Sequence, residues 1–265
     1  MRVGWIGLGQ MGAPMAHRVL AGGHALLGHS RRPRPDLLAA GASLTGSIEE
    51  TAATAEVLCV CLFDDTQVRD VLIGQGALAA LPPRAVVALH TTGAPALMDD
   101  LTVAAPDGVS ILDAPFSGTA AQAATGRLTL LVGGETQAIT RARPVLSAFA
   151  STILHVGPKG AGRGLKLINN LLFAAQISLA DEALRAAALL GLERDGVARA
   201  IGHCSGASYA MAKFAGPTPH DPMLAAMKPY LDKDVDAARL ALDGAGDALP
   251  LLTGAARWGT GKETA

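Results

Sequence analysis

The 265-residue chain is poor in aromatics, in cysteine and in charge, and each shortage excludes something. Phe, Trp and Tyr together make up 3% of it, too few for large aromatic platforms, whereas abundant Ala and Gly favour close helix packing. Only 17% of residues are charged and the formal net charge is −1, so there is no global basic field of the kind nucleic-acid binders use. Half of the residues are hydrophobic, which excludes an intrinsically disordered chain. The three cysteines, Cys59, Cys61 and Cys204, are too few and too odd in number for a disulfide framework and fit a reducing cytoplasm. Cys59 and Cys61 alternate in the apolar run VLCVCLF, a spacing too tight for a strand-borne zinc pair, and no histidine cluster accompanies them. They read as buried structural thiols, and no metal site is expected. No hydrophobic run approaches the length of a membrane span, and MRVGWIGLG is too short for the apolar part of a secretion signal. A cytoplasmic protein with neither membrane nor nucleic-acid partners is the expectation.

What the chain does have is alternation. Apolar runs at 2–7, 24–28, 57–63, 85–89, 111–113 and 127–132 read as buried strands, with 153–156 extended. Helical stretches at 11–21, 37–40, 66–72 and 144–149 separate them. This α/β pattern predicts a mostly parallel sheet with helices on both faces. After GPKG at 157–160 the pattern changes. No proline occurs from Gly164 to Gly191, and Leu165, Ile168, Leu172, Ala175 and Leu179 recur at helical spacing. The boundary is placed near 160, giving domains at 1–160 and 161–265, the second all-helical. Its long first helix is apolar on more than one face, which points to burial in a homodimer or higher homo-oligomer. The polar tail WGTGKETA is expected to fray.

GLGQMG, residues 7–12, follows the first strand and opens the first helix. Gly7 permits a tight turn, Gly9 lets backbone approach a pyrophosphate, and Gly12 lets helix and strand pack closely. Leu8, Gln10 and Met11 complete the turn, and the helix N-terminus offers free N–H groups to phosphate. About 20 residues further on, where an acid would select NAD by binding the ribose 2′-hydroxyl, the chain reads HSRRP. Ser30, Arg31 and Arg32 suit a 2′-phosphate, and no acid appears until Asp36. NADP(H) is therefore favoured, with NAD(H) possible; the competing reading is a surface loop merely coated with arginine.

Three further segments carry chemistry. In HTTGAP, 90–95, beyond a strand's C-terminal end, Thr91 and Thr92 suit contact with nicotinamide or substrate, or helix capping. In DAPFSGT, 113–119, Ser117 and Gly118 offer a hydroxyl and backbone N–H groups to a carboxylate, or form an ordinary turn. In GAGRGLKLINN, 160–170, Lys166 and Asn170 stand four apart on one helix in an apolar stretch. Desolvation there lowers a lysine's pKa and readies it for proton transfer. A lysine snorkelling from a core helix fits the same letters, and both readings stay open at this level.

Taken in order, GLGQMGAPMA, DAPFSG, GAGRGLKLINN and YLDKDVDAA resemble the motifs of the β-hydroxyacid dehydrogenases, the family of 3-hydroxyisobutyrate dehydrogenase, over about residues 2–253. The resemblance implies a Rossmann-type doubly wound domain followed by an all-helical domain for dimerisation and substrate. It implies an oxidoreductase passing hydride between a nicotinamide and a small β-hydroxy acid or its aldehyde or keto acid. Lys166 would be the general acid/base with Asn170 assisting. Ser117, Gly118 and the adjoining Thr119 would receive the substrate carboxylate, Thr92 would lie near the nicotinamide, and Lys233 would approach the cofactor. HSRRP resembles the NADPH-preferring members. The chain departs from the family in Thr119, where another glycine is usual, in Phe116 for valine, and in a shortened C-terminal region. Two other readings are an imine reductase, whose members typically carry Asp or Tyr where Lys166 stands, and a non-catalytic NADP-binding interaction module.

Overall fold

The computed structural model describes residues 1–216, 220–242 and 249–256, and divides into two compact units, Met1–Lys166 and Leu167–Ala265. The tail at 258–265 and part of the Pro-rich patch GPTPHDP lie outside the described residues.

The first unit is built on nine strands: β1 (Arg2–Ile6), β2 (Ala25–His29), β3 (Ser43–Thr45), β4 (Val57–Val60), β5 (Val86–Leu89), β6 (Ser110–Asp113), β7 (Phe116–Ser117), β8 (Leu128–Gly133) and β9 (Ala150–Gly157). Their order is β3-β2-β1-β4-β5-β6-β8-β7, with β9 paired to β8. The pairs from β3 across to β6 are all parallel, whereas β8 runs antiparallel to β6 and β7. The chain leaves β1 to one side for β2 and β3 and returns to the other for β4, so a crevice opens at the carboxyl end of β1. Ligands of such sheets lie at that switch point.

The central strands are apolar throughout because both faces are covered: all four residues of β4 and of β5 are buried. Alternate residues feed two cores. Trp5, Val57, Cys59 and Ala88 join Val19 and Phe149 on one face, while Ile6, Leu58, Val60 and Leu89 join Leu72 and Leu97 on the other. Cys59 is sealed, and burial pushes its thiol well above the ordinary range.

Two helices differ from the sequence expectation. The one expected at 144–149 spans Thr136–Leu146, with Pro144 in its closing turn; Ala138, Ile139, Ala142, Val145 and Leu146 form its buried stripe. Only the end of that stripe stood out, since Thr, Gln and Arg dilute its start. The helix expected at 66–72 is Asp65–Arg69, capped by Asp64, whose Oδ1 accepts from Gln67 N at 2.8 Å; it passes into a single π turn, Asp70–Gly74.

Beyond β9 every described element is helical: Ala161–Leu189, Arg194–Ile201, Tyr209–Phe214, His220–Ala241 and Pro250–Ala256. Along Ala161–Leu189 the apolar residues divide. Leu167, Leu171, Ala174, Ala175 and Leu184 are buried, whereas Leu165, Ile168, Leu172 and Leu179 are exposed. Among the described residues no helix is long and apolar enough to cross a membrane.

Candidate active site

The glycine-rich turn is shaped by collisions it avoids. Gly7 has φ +97°, and a Cβ there would lie 2.1 Å from the Cys61 carbonyl oxygen. A Cβ on Gly12 would lie 1.8 Å from the Gly7 carbonyl oxygen. Beneath them Trp5, fully buried on β1, donates from Nε1 to the Gly7 carbonyl at 3.2 Å. A Cβ on Gly9 would meet nothing within 4 Å. The helix that follows, Gly12–Ala21, has no side-chain cap and no acid in its first turn. Ala13 N donates to the Gly9 carbonyl at 3.0 Å and Pro14 has no N–H, so what the turn offers a phosphate is the positive dipole end of the helix beside the open space over Gly9, a cradle that fits a pyrophosphate.

Gly7, Leu8 and Gly9 share one cleft with Ser30, Arg31, Arg32 and Arg34; its volume is about 1120 Å³. Ser30 folds the loop on itself, its Oγ donating to the Arg32 carbonyl at 2.6 Å. Arg34, which the sequence reading passed over, joins both sides of the cleft. One of its nitrogens donates to the Leu8 carbonyl in the glycine turn, and the others donate to both carboxylate oxygens of Asp36 at 3.0 and 2.8 Å. His17 Nε2 also lies 3.2 Å from Asp36. The Arg34 guanidinium holds the Asp36 carboxyl below the usual carboxylate range. The first acid after β2 is therefore engaged by the Arg34 guanidinium, with the His17 ring beside it.

At the ends of β4, β5 and β6 three loops are tied together. His90 is buried after β5 with Nδ1 2.8 Å from the Ala114 carbonyl, stacked on Trp5 at 6.1 Å and edge-on to Phe149. Thr91 uses its Oγ1 to accept from Leu62 N at 3.0 Å, so this hydroxyl is committed to the loop, while Thr92 is half-buried beside it. Asp113, wholly buried at the end of β6, accepts from Gly160 N and Arg163 N, both at 2.8 Å, and so anchors the start of the helix bearing Lys166. Arg163 is wholly buried and reaches back to Thr91, Ala94 and Asp65. Lys166, one turn further, is half-buried rather than sealed.

Burial without a partner for Nε2 lowers the His90 pKa to about 4. Because the folded chain resists protonating this ring, its contribution to stability is complete above about pH 6.5, falls as pH drops from there to about 4, and changes no further below. Over that window the wild type is expected to lose on the order of 3 kcal/mol more than His90→Phe, measured by urea unfolding at several pH values.

The remaining candidates divide between the units. Ser117 is half-buried on β7, and Gly118 takes φ +138° next to it. Thr119 caps the helix Ala120–Ala124 in a reciprocal box, its N donating to Gln122 Oε1 at 2.9 Å and its Oγ1 accepting from Gln122 N at 3.3 Å. Gln10 is exposed at the tip of the glycine turn, and Met11 packs on the first core. In the second unit Asn170 donates from Nδ2 to Asp234 Oδ2 at 2.5 Å, and Lys233 Nζ lies 3.5 Å from Asp234 Oδ1, an ion-pair separation rather than a hydrogen bond.

Residues 2–157 match the NAD binding domain of 6-phosphogluconate dehydrogenase, and residues 160–259 match the NAD-binding of NADP-dependent 3-hydroxyisobutyrate dehydrogenase. An NAD-dependent L-serine dehydrogenase of Pseudomonas aeruginosa is 32% identical over 262 residues, 94% of this chain and 88% of that protein. The structure of Mycobacterium tuberculosis 3-hydroxyisobutyrate dehydrogenase with L-serine superposes with a TM-score of 0.85 at 30% identity, covering 96% of this chain and 91% of that one. The chain belongs to the β-hydroxyacid dehydrogenase family. It is an NAD(P)-binding oxidoreductase of that family. A Streptomyces aurantiacus imine reductase also superposes, with a TM-score of 0.68 over 97% of this chain and 94% of that one, but at 18% identity it shares the fold alone.

Within this family member, sequence reading missed Arg34, Asp65, Asp113, Arg163 and Asp234 as structural partners of the site. Asp113 and Arg163 stood inside quoted motifs. Their roles rest on contacts 47 to 98 residues apart, which spacing does not reveal.

Proposed function

We propose that the chain interconverts a small β-hydroxy acid and the corresponding aldehyde or keto acid, with NADP(H) preferred over NAD(H). The observation that carries the cofactor preference is the charge at the end of β2. Ser30, Arg31 and Arg32 border the same cleft as the glycine turn, while Asp36 is held by Arg34 and His17. A 2′-phosphate there gains charge-assisted hydrogen bonds. The bound dinucleotide supplies the hydride acceptor or donor. Gly7, Leu8, Gly9, Gln10, Met11 and Gly12 hold its pyrophosphate. Thr92 flanks the nicotinamide end, and the family resemblance adds Lys233 as a cofactor contact.

Lys166 gives a proton to the substrate oxygen in reduction and removes it in oxidation, with Asn170 orienting it. Ser117 and the Gly118 backbone receive the carboxylate, fixing the reacting carbon, while Thr119, expected to share in this, spends its N–H on the Gln122 capping box beside them. Relatives acting on, or crystallised with, L-serine support a small carboxylate substrate. The exposed Leu165, Ile168, Leu172 and Leu179 support burial of the helix Ala161–Leu189 in a homodimer or higher homo-oligomer.

The test is NADP⁺ and NAD⁺ reduction with 3-hydroxyisobutyrate, glycerate, 4-hydroxybutyrate and L-serine. Turnover faster with NADP⁺ on at least one of them is expected. In the Arg31→Ala/Arg32→Ala variant kcat/KM for NADP⁺ is expected to fall about 10- to 100-fold, as for lost hydrogen bonds to a charged group, with NAD⁺ little affected. Equal losses with both cofactors would remove the arginines from phosphate selection.

A further inference from the structure

We propose that Arg163 is a positioning residue for the reaction: its guanidinium fixes the loop carrying Thr92 against the first turn of the helix carrying Lys166. This rests on the reading of Lys166 and Thr92 given above. Arg163 Nη1 donates to the Thr91 carbonyl and Nε to the Ala94 carbonyl, each at 3.0 Å, so the carbonyls on both sides of Thr92 are held by one planar group. Nη2 pairs with Asp65, whose other oxygen accepts from Ala94 N at 2.9 Å. At the other end, the Arg163 backbone N is fixed by Asp113. One residue thus joins the loops after β4, β5 and β6 to a helix whose next turn is Lys166.

Position 93 points the same way independently. A Cβ on Gly93 would lie 2.1 Å from Asp65 Oδ1 and 2.3 Å from Arg163 Nη2, so any side chain there and the ion pair exclude one another. The loop has given up a side chain to the pair. Stability alone is a weak reason for such an arrangement, because buried ion pairs are often no better than well-packed apolar groups. Directed geometry is a better one: no apolar group bridges two carbonyls and a carboxylate.

Arg163→Gln is the test, read three ways. Hydrogen exchange of a peptide covering 91–96 is expected to quicken about tenfold or more, with β1 and β4 unchanged, as local opening without global unfolding does. The kcat is expected to fall on the order of 100-fold, the effect of about 1 Å of misplacement, while the KM for NADPH stays near wild type. Asp65→Asn, altered at a partly exposed carboxylate, is expected to move both readouts the same way but less, and it carries the test if Arg163→Gln does not fold. A folded Arg163→Gln with wild-type exchange at 91–96, or with a lowered melting temperature and unchanged kcat, would overturn the proposal. Exchange needs no turnover, so a wild type inactive on every hydroxy acid would sink the substrate reading while exchange still decides the clamp.

Discussion

Lys166→Met is expected to lower kcat on the order of 10³-fold, within the range general acid–base groups supply, while NADPH affinity measured by calorimetry stays within about twofold. Methionine keeps the length and apolar stem of lysine, so the packing of Ala161–Leu189 against its neighbours changes little. What it removes is the ammonium. The cofactor cradle is made of Gly7–Gly12 and the β2 loop, remote in sequence from residue 166 and held by Trp5 and Arg34, which do not depend on Lys166. Cofactor binding and chemistry should therefore separate cleanly. The competing view, a lysine whose stem covers apolar surface while its head reaches solvent, expects methionine to be tolerated. Turnover near wild type in a folded, NADPH-binding variant would decide for that view and end the assignment. Because Lys166 is half-buried, its reactivity would come from position as much as from desolvation. That is why the neighbouring contacts of Arg163 and Asp113 matter to it.

What the sequence made legible was local. GLGQMG announces its own geometry because the positive φ of Gly7 and the close approach of Gly12 to the Gly7 carbonyl both lie within six residues, and the run of β4 and β5 announces burial because all of it is apolar. HSRRP was legible for a similar reason: charge in a short loop needs no tertiary partner to be counted. Arg34, two residues on, was not. Its meaning lies in the Leu8 carbonyl 26 residues earlier, and letters alone do not say which arginine turns inward. Asp113 read as the end of a strand, although its carboxylate closes the helix start at Gly160 and Arg163. Asn170 read as an assistant to Lys166, and letters alone did not show that Asp234, 64 residues away, holds its amide. The β3 strand and the helix Ile48–Ala53 went unnoticed because both are short, and β3 has exposed or half-buried residues only. Short edge elements carry little periodicity, and their place is fixed by the sheet they join.

Two alanines in one turn should have opposite consequences. Gly12→Ala is expected to destabilise the fold by about 3 kcal/mol, the upper range for overpacking, and to abolish measurable NADPH binding. The added Cβ would meet the Gly7 carbonyl oxygen at 1.8 Å and Trp5 Nε1 at 3.1 Å. Neither neighbour can yield: the first is backbone at a positive φ, and the second belongs to a side chain buried under the turn and bonded to that carbonyl. Helix Gly12–Ala21 must lift off β1, and its positive dipole end and the Gly9 turn bonded to it are displaced together. Gly9→Ala meets nothing within 4 Å, so unfolding in urea should match wild type. Yet the methyl occupies the space where the pyrophosphate must approach the backbone, and affinity should fall tenfold or more, about 1.4 kcal/mol at the least. Loss of affinity without loss of stability at residue 9, beside loss of both at residue 12, is the pattern a phosphate cradle requires. A merely structural glycine turn expects Gly9→Ala to bind NADPH as the wild type does, and calorimetry on the two variants distinguishes the cases.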